Sequence, residues 1–163
     1  MSKPLFVFGS LRDSDIREIV LGRAAADIRV LSAWLPDYRA LRLPDESYPV
    51  LVTAPGESVI GELLSGLLAE DFARIAFFEN QEYRFENCSV VLEDGARRNA
   101  LVCTEDQIEP GAREPWLLDV WQRSHKATFM EHTRQFMKLY GTVSPGEADE
   151  IWRELTMQAG QVR

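Results

Sequence analysis

Short apolar runs separated by turn residues fill most of the chain up to about residue 104. Runs of this length, rich in β-branched and aromatic residues, are typical of β-strands. Pro36 and Pro55 interrupt the pattern, and Asp94-Gly95 predicts a hairpin turn between its last two members. The strands predicted in this way cover residues 6–8, 28–35, 38–41, 48–53, 58–64, 83–92 and 98–104.

Two stretches among these runs space their apolar residues three and four positions apart, as on one face of a helix. The first covers residues 15–21, with Asp13 or Ser14 as its N-terminal cap and an end near Gly22. The second covers residues 69–78 and leads directly into Glu79.

The last third of the chain has a helical pattern. One helical stripe comprises Leu117, Val120, Trp121 and Ser124, and the pattern continues with Phe129, Phe136, Met137 and Tyr140. Ser144 and Glu147 match the two ends of a capping box around Pro145, so a final helix is expected over 147–157, with Ile151 and Trp152 facing inward. Strands followed by helices predict an α+β fold. We expect one domain over residues 1–163, with a core over about 5–104 and a helical extension over about 114–160.

Composition narrows the classes of function. The chain has 163 residues, 45% of them hydrophobic, which is enough for one domain with a buried core. A net charge of −8 repels phosphate backbones, so no nucleic-acid partner is expected. Lys3-Pro4 leads straight into the first strand, and no apolar run reaches the roughly 20 residues that span a bilayer. We therefore expect a cytoplasmic protein without a membrane partner, in which the C-terminal helices could support an oligomer.

Cysteine and histidine are too sparse to predict a metal site. Cys88 and Cys103 flank the predicted hairpin turn and could face each other, but thiols in a cytosolic chain are expected to stay reduced. His125 and His132 are separated by about two helical turns, roughly 10 Å, which is too far to share one metal ion. We interpret them as surface or groove histidines, and expect neither metal nor cofactor.

Two segments carry candidate chemistry. Glu79 lies in the aromatic run Phe77-Phe78-Glu79-Asn80-Gln81-Glu82-Tyr83-Arg84-Phe85. A carboxylate among apolar rings loses hydration, which raises its pKa toward the range where it can both take and give a proton. The first strand ends at Phe8-Gly9-Ser10-Leu11, a small-residue turn whose backbone N–H groups can bind an anion.

These segments occur in order with Tyr48-Pro49 and Val59-Ile60-Gly61-Glu62 between them. From residue 6 to about residue 104, the chain resembles the gamma-glutamylcyclotransferase-like (AIG2-like) family. The pattern of that family is Tyr-Gly-Ser-Leu, Tyr-Pro, Val-x-Gly-Glu and Asp-x-Phe/Tyr-Glu-Gly-x-x-Tyr. The resemblance implies a small, mostly antiparallel, barrel-like sheet with helices packed around it, and does not explain the chain after Glu114.

The resemblance also implies a reaction, the cyclisation of a gamma-glutamyl group to 5-oxoproline with release of the attached amine. Glu79 is the implied general acid and base, and neither metal nor cofactor is needed. The implied substrate-binding residues are Phe8, Gly9, Ser10, Leu11, Tyr48 and Tyr83. Glu82 is a rival acid, whereas Glu62 is interpreted as a structural residue.

Three residues depart from the family pattern: Phe8 replaces a tyrosine, Ala76 an aspartate and Asn80 a glycine. Glu79 and the anion-binding turn are retained, but the sequence does not specify the substrate. The leaving group could be an amino acid, a lysine side chain or another amine. Two alternatives also stay open: a protein that binds a small acid without turnover, and an interaction protein that docks a partner through the aromatic helices after Trp116.

Overall fold

A computed structural model describes residues 3–23, 27–42, 49–79, 83–105 and 114–158 of the chain. The strands in these ranges are β1 (Leu5–Val7), β2 (Arg29–Arg42), β3 (Pro49–Ser65), β4 (Tyr83–Leu92), β5 (Arg97–Glu105) and β6 (Glu114–Pro115). The α-helices are α1 (Ser14–Leu21), α2 (Ala69–Glu79), α3 (Leu118–Ser124), α4 (Lys126–Met137) and α5 (Pro145–Gln158). A short 3-10 helix, Ser10–Arg12, follows β1.

Five of these strands close into a barrel. Neighbouring strands follow the order β3, β1, β5, β4 and β2, and β2 pairs back onto β3. β1 and β5 are parallel, with Leu5 beside Leu101, and the other barrel pairs are antiparallel. The short β6 adds to β2 outside the closed ring. The α+β prediction, with a barrel-like mixed sheet surrounded by helices, is confirmed.

Side-chain alternation along the strands gives the barrel two apolar faces. Phe6, Phe8 and Leu63 belong to the cluster inside the barrel. Leu5 and Val7 belong to a second cluster, which the helices form against the outside of the barrel wall. At Gly61 a Cβ atom would lie 2.3 Å from the Val7 carbonyl oxygen and 2.6 Å from Cζ of Phe6, so the strand packing requires glycine there.

Strands β2 and β3 are longer than predicted. Each was expected as two strands interrupted by proline, but each runs through as one strand. The register shifts between Pro36 and Tyr38, where Asp37 has a positive φ of 68°. The Asp37 carboxylate accepts a hydrogen bond from the Gly56 N–H at 3.0 Å. The proline signals therefore mark a bulge in a continuous strand pair, since pairing on both sides preserves the ladder.

The β4–β5 hairpin separates the two cysteines. Cys88 lies opposite Ala100, whereas Cys103 lies opposite Phe85, so the thiols do not take the facing arrangement that the hairpin turn allowed. Both are free cysteines. Burial raises the pKa of Cys88 to about 11, which keeps this thiol protonated at neutral pH.

Local capping signals are confirmed at two helices. The Asp13 carboxylate accepts hydrogen bonds from the N–H groups of Asp15 and Ile16, at 2.9 and 3.2 Å. The Ser144 hydroxyl accepts from the Glu147 N–H at 3.3 Å, and α5 begins at the next residue. Both caps satisfy N–H groups that have no partner inside their helix.

The predicted C-terminal stripe is only partly correct. Trp121, Phe129 and Phe136 are buried, but Leu117 and Val120 are 53% and 41% exposed. Ser124 is also exposed. Leu117 precedes α3, and α3 ends at Ser124 before α4 begins, so one helical face does not run through the whole segment.

The histidine interpretation is wrong for His132. This residue is buried, with its ring 6.2 Å from the Trp152 ring of α5. His125 is half-buried at the junction of α3 and α4, where burial and the charge of Arg42 lower its pKa. Within the ranges given above, no helix combines the length and the apolar character that crossing a bilayer requires.

Candidate active site

The turn after β1 is folded around a few backbone hydrogen bonds. The N–H groups of Arg12 and Asp13 donate to the carbonyls of Gly9 and Ser10, both at 3.0 Å. These bonds leave the N–H groups of Ser10 and Leu11 outside the pattern of the 3-10 helix, as expected for its first residues. Both side chains are buried.

Two arginines fix the shape of this turn. Nε of Arg12 donates to Oε2 of Glu62 on β3 at 2.7 Å, which ties the turn to the barrel wall. Nη1 of Arg17 donates to the carbonyls of Leu11 and Arg12, at 2.9 and 2.7 Å. Glu62 therefore has the structural contact that its sequence position suggested.

Asp13 ties the other end of the turn to the helices. Its Oδ2 accepts hydrogen bonds from Gln122 at 2.9 Å and from Lys126 at 2.8 Å. Burial by itself disfavours the charged carboxylate, but the bonds from Lys126, Gln122 and the Ile16 N–H outweigh it and hold the pKa of Asp13 below its usual range.

Glu79 is the last residue of α2. It follows Phe72 and Ile75 at helical spacing, on the face that packs against the barrel, and Ile75 is 1% exposed. Burial raises the pKa of Glu79 from 4.5 to about 7. On β5, burial and the charge of Glu79 raise the pKa of the Cys103 thiol. At a pKa of about 7, both the protonated and the ionised form of the Glu79 carboxyl group are populated at neutral pH.

Glu79 and the turn line the same pocket. It has about 460 Å³ of empty space, counted with its open mouth. The lining residues are Leu5, Phe6, Val7, Phe8, Gly9, Ser10, Leu11, Pro49, Glu79 and Cys103. At Gly9 a Cβ atom would lie 3.0 Å from Cδ of Pro49, so a side chain there would push against this wall.

The structure thus brings five of the seven predicted site residues together: Phe8, Gly9, Ser10, Leu11 and Glu79. Tyr48 and the rival acid Glu82 lie outside the described residues, as does the side chain of Tyr83. Asn80, one of the departures from the family pattern, lies outside them too.

Sequence reasoning did not select Cys103 or Pro49 as lining residues. The signal for Pro49 was its place in the Tyr-Pro motif. Cys103 could be found only from the pairing of β5 with β1, which is tertiary information. Within the part of the chain that the structure describes, no three His, Cys, Asp or Glu side chains are grouped to hold a metal ion.

Known proteins share both the sequence and the fold. AIG2-like protein A from Arabidopsis thaliana is 27% identical over 136 residues, covering 82% of this chain and 81% of that protein. AIG2-like protein D from the same plant is 27% identical over 135 residues, covering 81% of this chain and 87% of that protein.

Among solved structures, the solution structure of an Arabidopsis thaliana protein matches with a TM-score of 0.61 and 25% identity, covering 87% of this chain and 95% of that chain. A gamma-glutamyl cyclotransferase structure matches with a TM-score of 0.55 and 13% identity, covering 94% of this chain and 99% of that chain, which shows a shared fold. The model of the family described as gamma-glutamyl cyclotransferase, AIG2-like, matches residues 5–123. Because this match includes the barrel, the turn and Glu79 and spans more than half of the chain, the protein belongs to the AIG2-like gamma-glutamyl cyclotransferase family.

Proposed function

We propose that this protein cyclises a gamma-glutamyl amine or peptide to 5-oxoproline and releases the amine, with Glu79 as general acid and base. One observation carries the proposal: a carboxyl group with a pKa of about 7 lines the same pocket as a turn in which the N–H groups of Ser10 and Leu11 lie outside the hydrogen-bond pattern of the 3-10 helix. Membership of the family makes this reaction class the first to test.

The substrate supplies both reacting groups. Its α-amine, after losing the ammonium proton to solvent, attacks the γ-carbonyl carbon and forms the ring C–N bond. The Glu79 carboxylate takes the proton that the attacking nitrogen then loses. The protonated carboxyl gives this proton to the leaving nitrogen as the original amide C–N bond breaks. No water is consumed, and Glu79 returns to its starting state.

The turn provides the position for this intramolecular attack. The N–H groups of Ser10 and Leu11 would bind the substrate α-carboxylate, and the Ser10 hydroxyl can add a hydrogen bond. Holding the amine against the carbonyl can lower the barrier by up to about 7–11 kcal/mol. Phe8 and Pro49 give this pocket apolar walls that limit the water around Glu79.

The decisive experiment measures 5-oxoproline formed from a panel of gamma-glutamyl dipeptides, gamma-glutamyl alkylamines and Nε-(gamma-glutamyl)lysine. The Glu79→Gln variant should lose about 10²- to 10⁴-fold in kcat/KM, the usual contribution of general acid–base catalysis. Glu93→Gln is the matched control, because Glu93 is exposed in the hairpin turn between β4 and β5.

Glu79→Gln with an unchanged rate would contradict the assignment of this residue. Calorimetric titration with 5-oxoproline distinguishes the proposed enzyme from a protein that binds a small acid without turnover. Binding of 5-oxoproline without turnover of any panel member would make the protein a small-acid-binding member of the fold.

A further inference from the structure

Helices α4 and α5 lie beyond residue 123, where the family match ends, yet they contact the end of α2. The ring of Phe136 on α4 stacks on Phe77, with centroids 4.8 Å apart and an interplanar angle of 26°. The ring of Phe129 meets Phe78 edge-on at 6.1 Å. Helix α4 therefore covers the two residues that directly precede Glu79.

Helix α5 packs against the two α4 rings that contact Phe77 and Phe78. The Trp152 ring lies edge-on to Phe129 at 5.6 Å and to Phe136 at 5.3 Å. We name Phe129, Phe136 and Trp152 the aromatic brace. The end of α2 is thus part of the cluster on the outside of the barrel wall, to which Ile75 belongs, and contacts the aromatic brace through Phe77 and Phe78.

Among the residues that the structure describes, few charged or titratable groups surround the end of α2. From β5, the Cys103 thiol interacts with Glu79. On the side of the brace, Tyr140 meets the edge of Phe77 at 5.5 Å, with Arg74 over its ring and Glu70 at its hydroxyl. His132 contacts Trp152.

None of these groups is a cause of the raised pKa of Glu79, which comes from burial. The direction of the shift in the pKa of Glu79 therefore follows from the burial of its carboxyl group at the end of α2.

We propose that Phe129, Phe136 and Trp152 are positioning residues, which hold the end of α2 so that the Glu79 carboxyl stays in a water-poor pocket. This inference rests on the proposed function. The inference gives α4 and α5, which lie outside the family match, a role in the reaction, because they hold the end of α2 beside the pocket. The brace residues do not line the pocket and act through Phe77 and Phe78.

The test titrates the Glu79 carboxyl by NMR, in protein labelled with ¹³C at glutamate side chains and assigned with Glu79→Gln. Phe136→Leu removes the stacked ring, and Phe77→Leu removes its partner. In both variants the Glu79 midpoint should fall by about one pH unit, since water gains access to the carboxyl. The acid limb of kcat/KM should move by the same amount. Val90→Ala is the control, because Val90 is buried inside the barrel and does not line the pocket.

The possible outcomes distinguish the role of the aromatic brace from the proposed reaction. An unchanged Glu79 midpoint in folded Phe136→Leu and Phe77→Leu overturns the inference, as does an equal change in Val90→Ala. A lowered midpoint together with a shifted pH–rate profile supports it. A lowered midpoint in a protein that forms no 5-oxoproline from any panel member supports the packing effect and overturns only the proposed reaction. If Phe136→Leu does not fold, Phe129→Leu tests the other contact between α4 and the end of α2, the one with Phe78.

Discussion

Replacing Glu79 by glutamine keeps the size of the side chain but removes its ability to ionise. In the folded protein burial raises the pKa of Glu79 from 4.5 to about 7, whereas the unfolded chain keeps the ordinary value. Between these pH values the folded protein binds more protons than the unfolded chain. The free energy of unfolding of the wild type therefore falls as pH rises from below 4.5 to about 7.

The magnitude follows from the two pKa values. One pKa unit corresponds to about 1.4 kcal/mol, so a rise from 4.5 to about 7 corresponds to roughly 3 kcal/mol. Glu79 keeps part of its surface on the pocket, where water screens its charge, so the measured effect should lie between about 1 and 3 kcal/mol. Glutamine has no such pH-dependent cost. The variant should thus be more stable than the wild type at pH 8.5, by about 3–10 °C in Tm for a chain of this size.

Urea denaturation followed by tryptophan fluorescence gives the free energy of unfolding at each pH. We expect the difference between Glu79→Gln and the wild type to grow from pH 5 to about pH 7, and to level off between there and pH 8.5. Glu93→Gln, in the exposed hairpin turn, should show no comparable growth.

A difference between Glu79→Gln and wild type that is constant across this pH range would refute the reasoning. It would mean that the Glu79 carboxyl is hydrated and titrates as an ordinary acid. The proposed acid–base role would then lose its physical basis, because a carboxyl of ordinary pKa is a poor proton donor at neutral pH.

Three further substitutions test the packing of the barrel and the turn beside the pocket. Gly61→Ala places a Cβ atom 2.3 Å from the Val7 carbonyl oxygen, so it should cost about 3 kcal/mol of stability in urea denaturation; a cost near zero would contradict the close packing. Glu62→Gln weakens the hold on Arg12 and loosens the turn, so KM for a gamma-glutamyl substrate should rise about 3- to 10-fold at similar kcat, as about 1 kcal/mol of binding predicts; an unchanged KM would contradict that role. Asp13→Asn keeps the helix cap but loses the ion pair with α4, costing about 2 kcal/mol at pH 7 by urea denaturation. Because the folded pKa of Asp13 is lowered, its contribution is present above pH 3.8 and lost as pH falls through the folded value, so the deficit should disappear in acid.

Local chemistry was enough to predict the parts of the site that depend on neighbours in the chain. Asp13 caps α1 because its carboxylate reaches N–H groups two and three residues ahead. The position of Glu79 at the end of α2 follows from the spacing of Phe72 and Ile75. Burial raises the pKa of Glu79, in the direction that its apolar sequence neighbours predicted.

Other features depend on contacts between distant segments. Pro36 and Pro55 carry the same local signal whether they end a strand or bend it, and only the pairing of β2 with β3 decides between the two. The exposure of Leu117 and Val120 depends on where α3 ends. The contact of Glu79 with Cys103 requires β5 to lie beside β1, and no local pattern specifies that neighbour.

Arg12 and Asp13 are adjacent in the chain but bind to different parts of the fold. Arg12 is bound to Glu62 of the barrel, whereas Asp13 is bound to Gln122 and Lys126 of the helical layer. The turn between β1 and α1 therefore connects the barrel and the helical layer through two adjacent residues. A ligand bound in the pocket against this turn would also stabilise the connection between the barrel and the helices. At saturating ligand, the barrel and the helices should therefore unfold in a single cooperative transition.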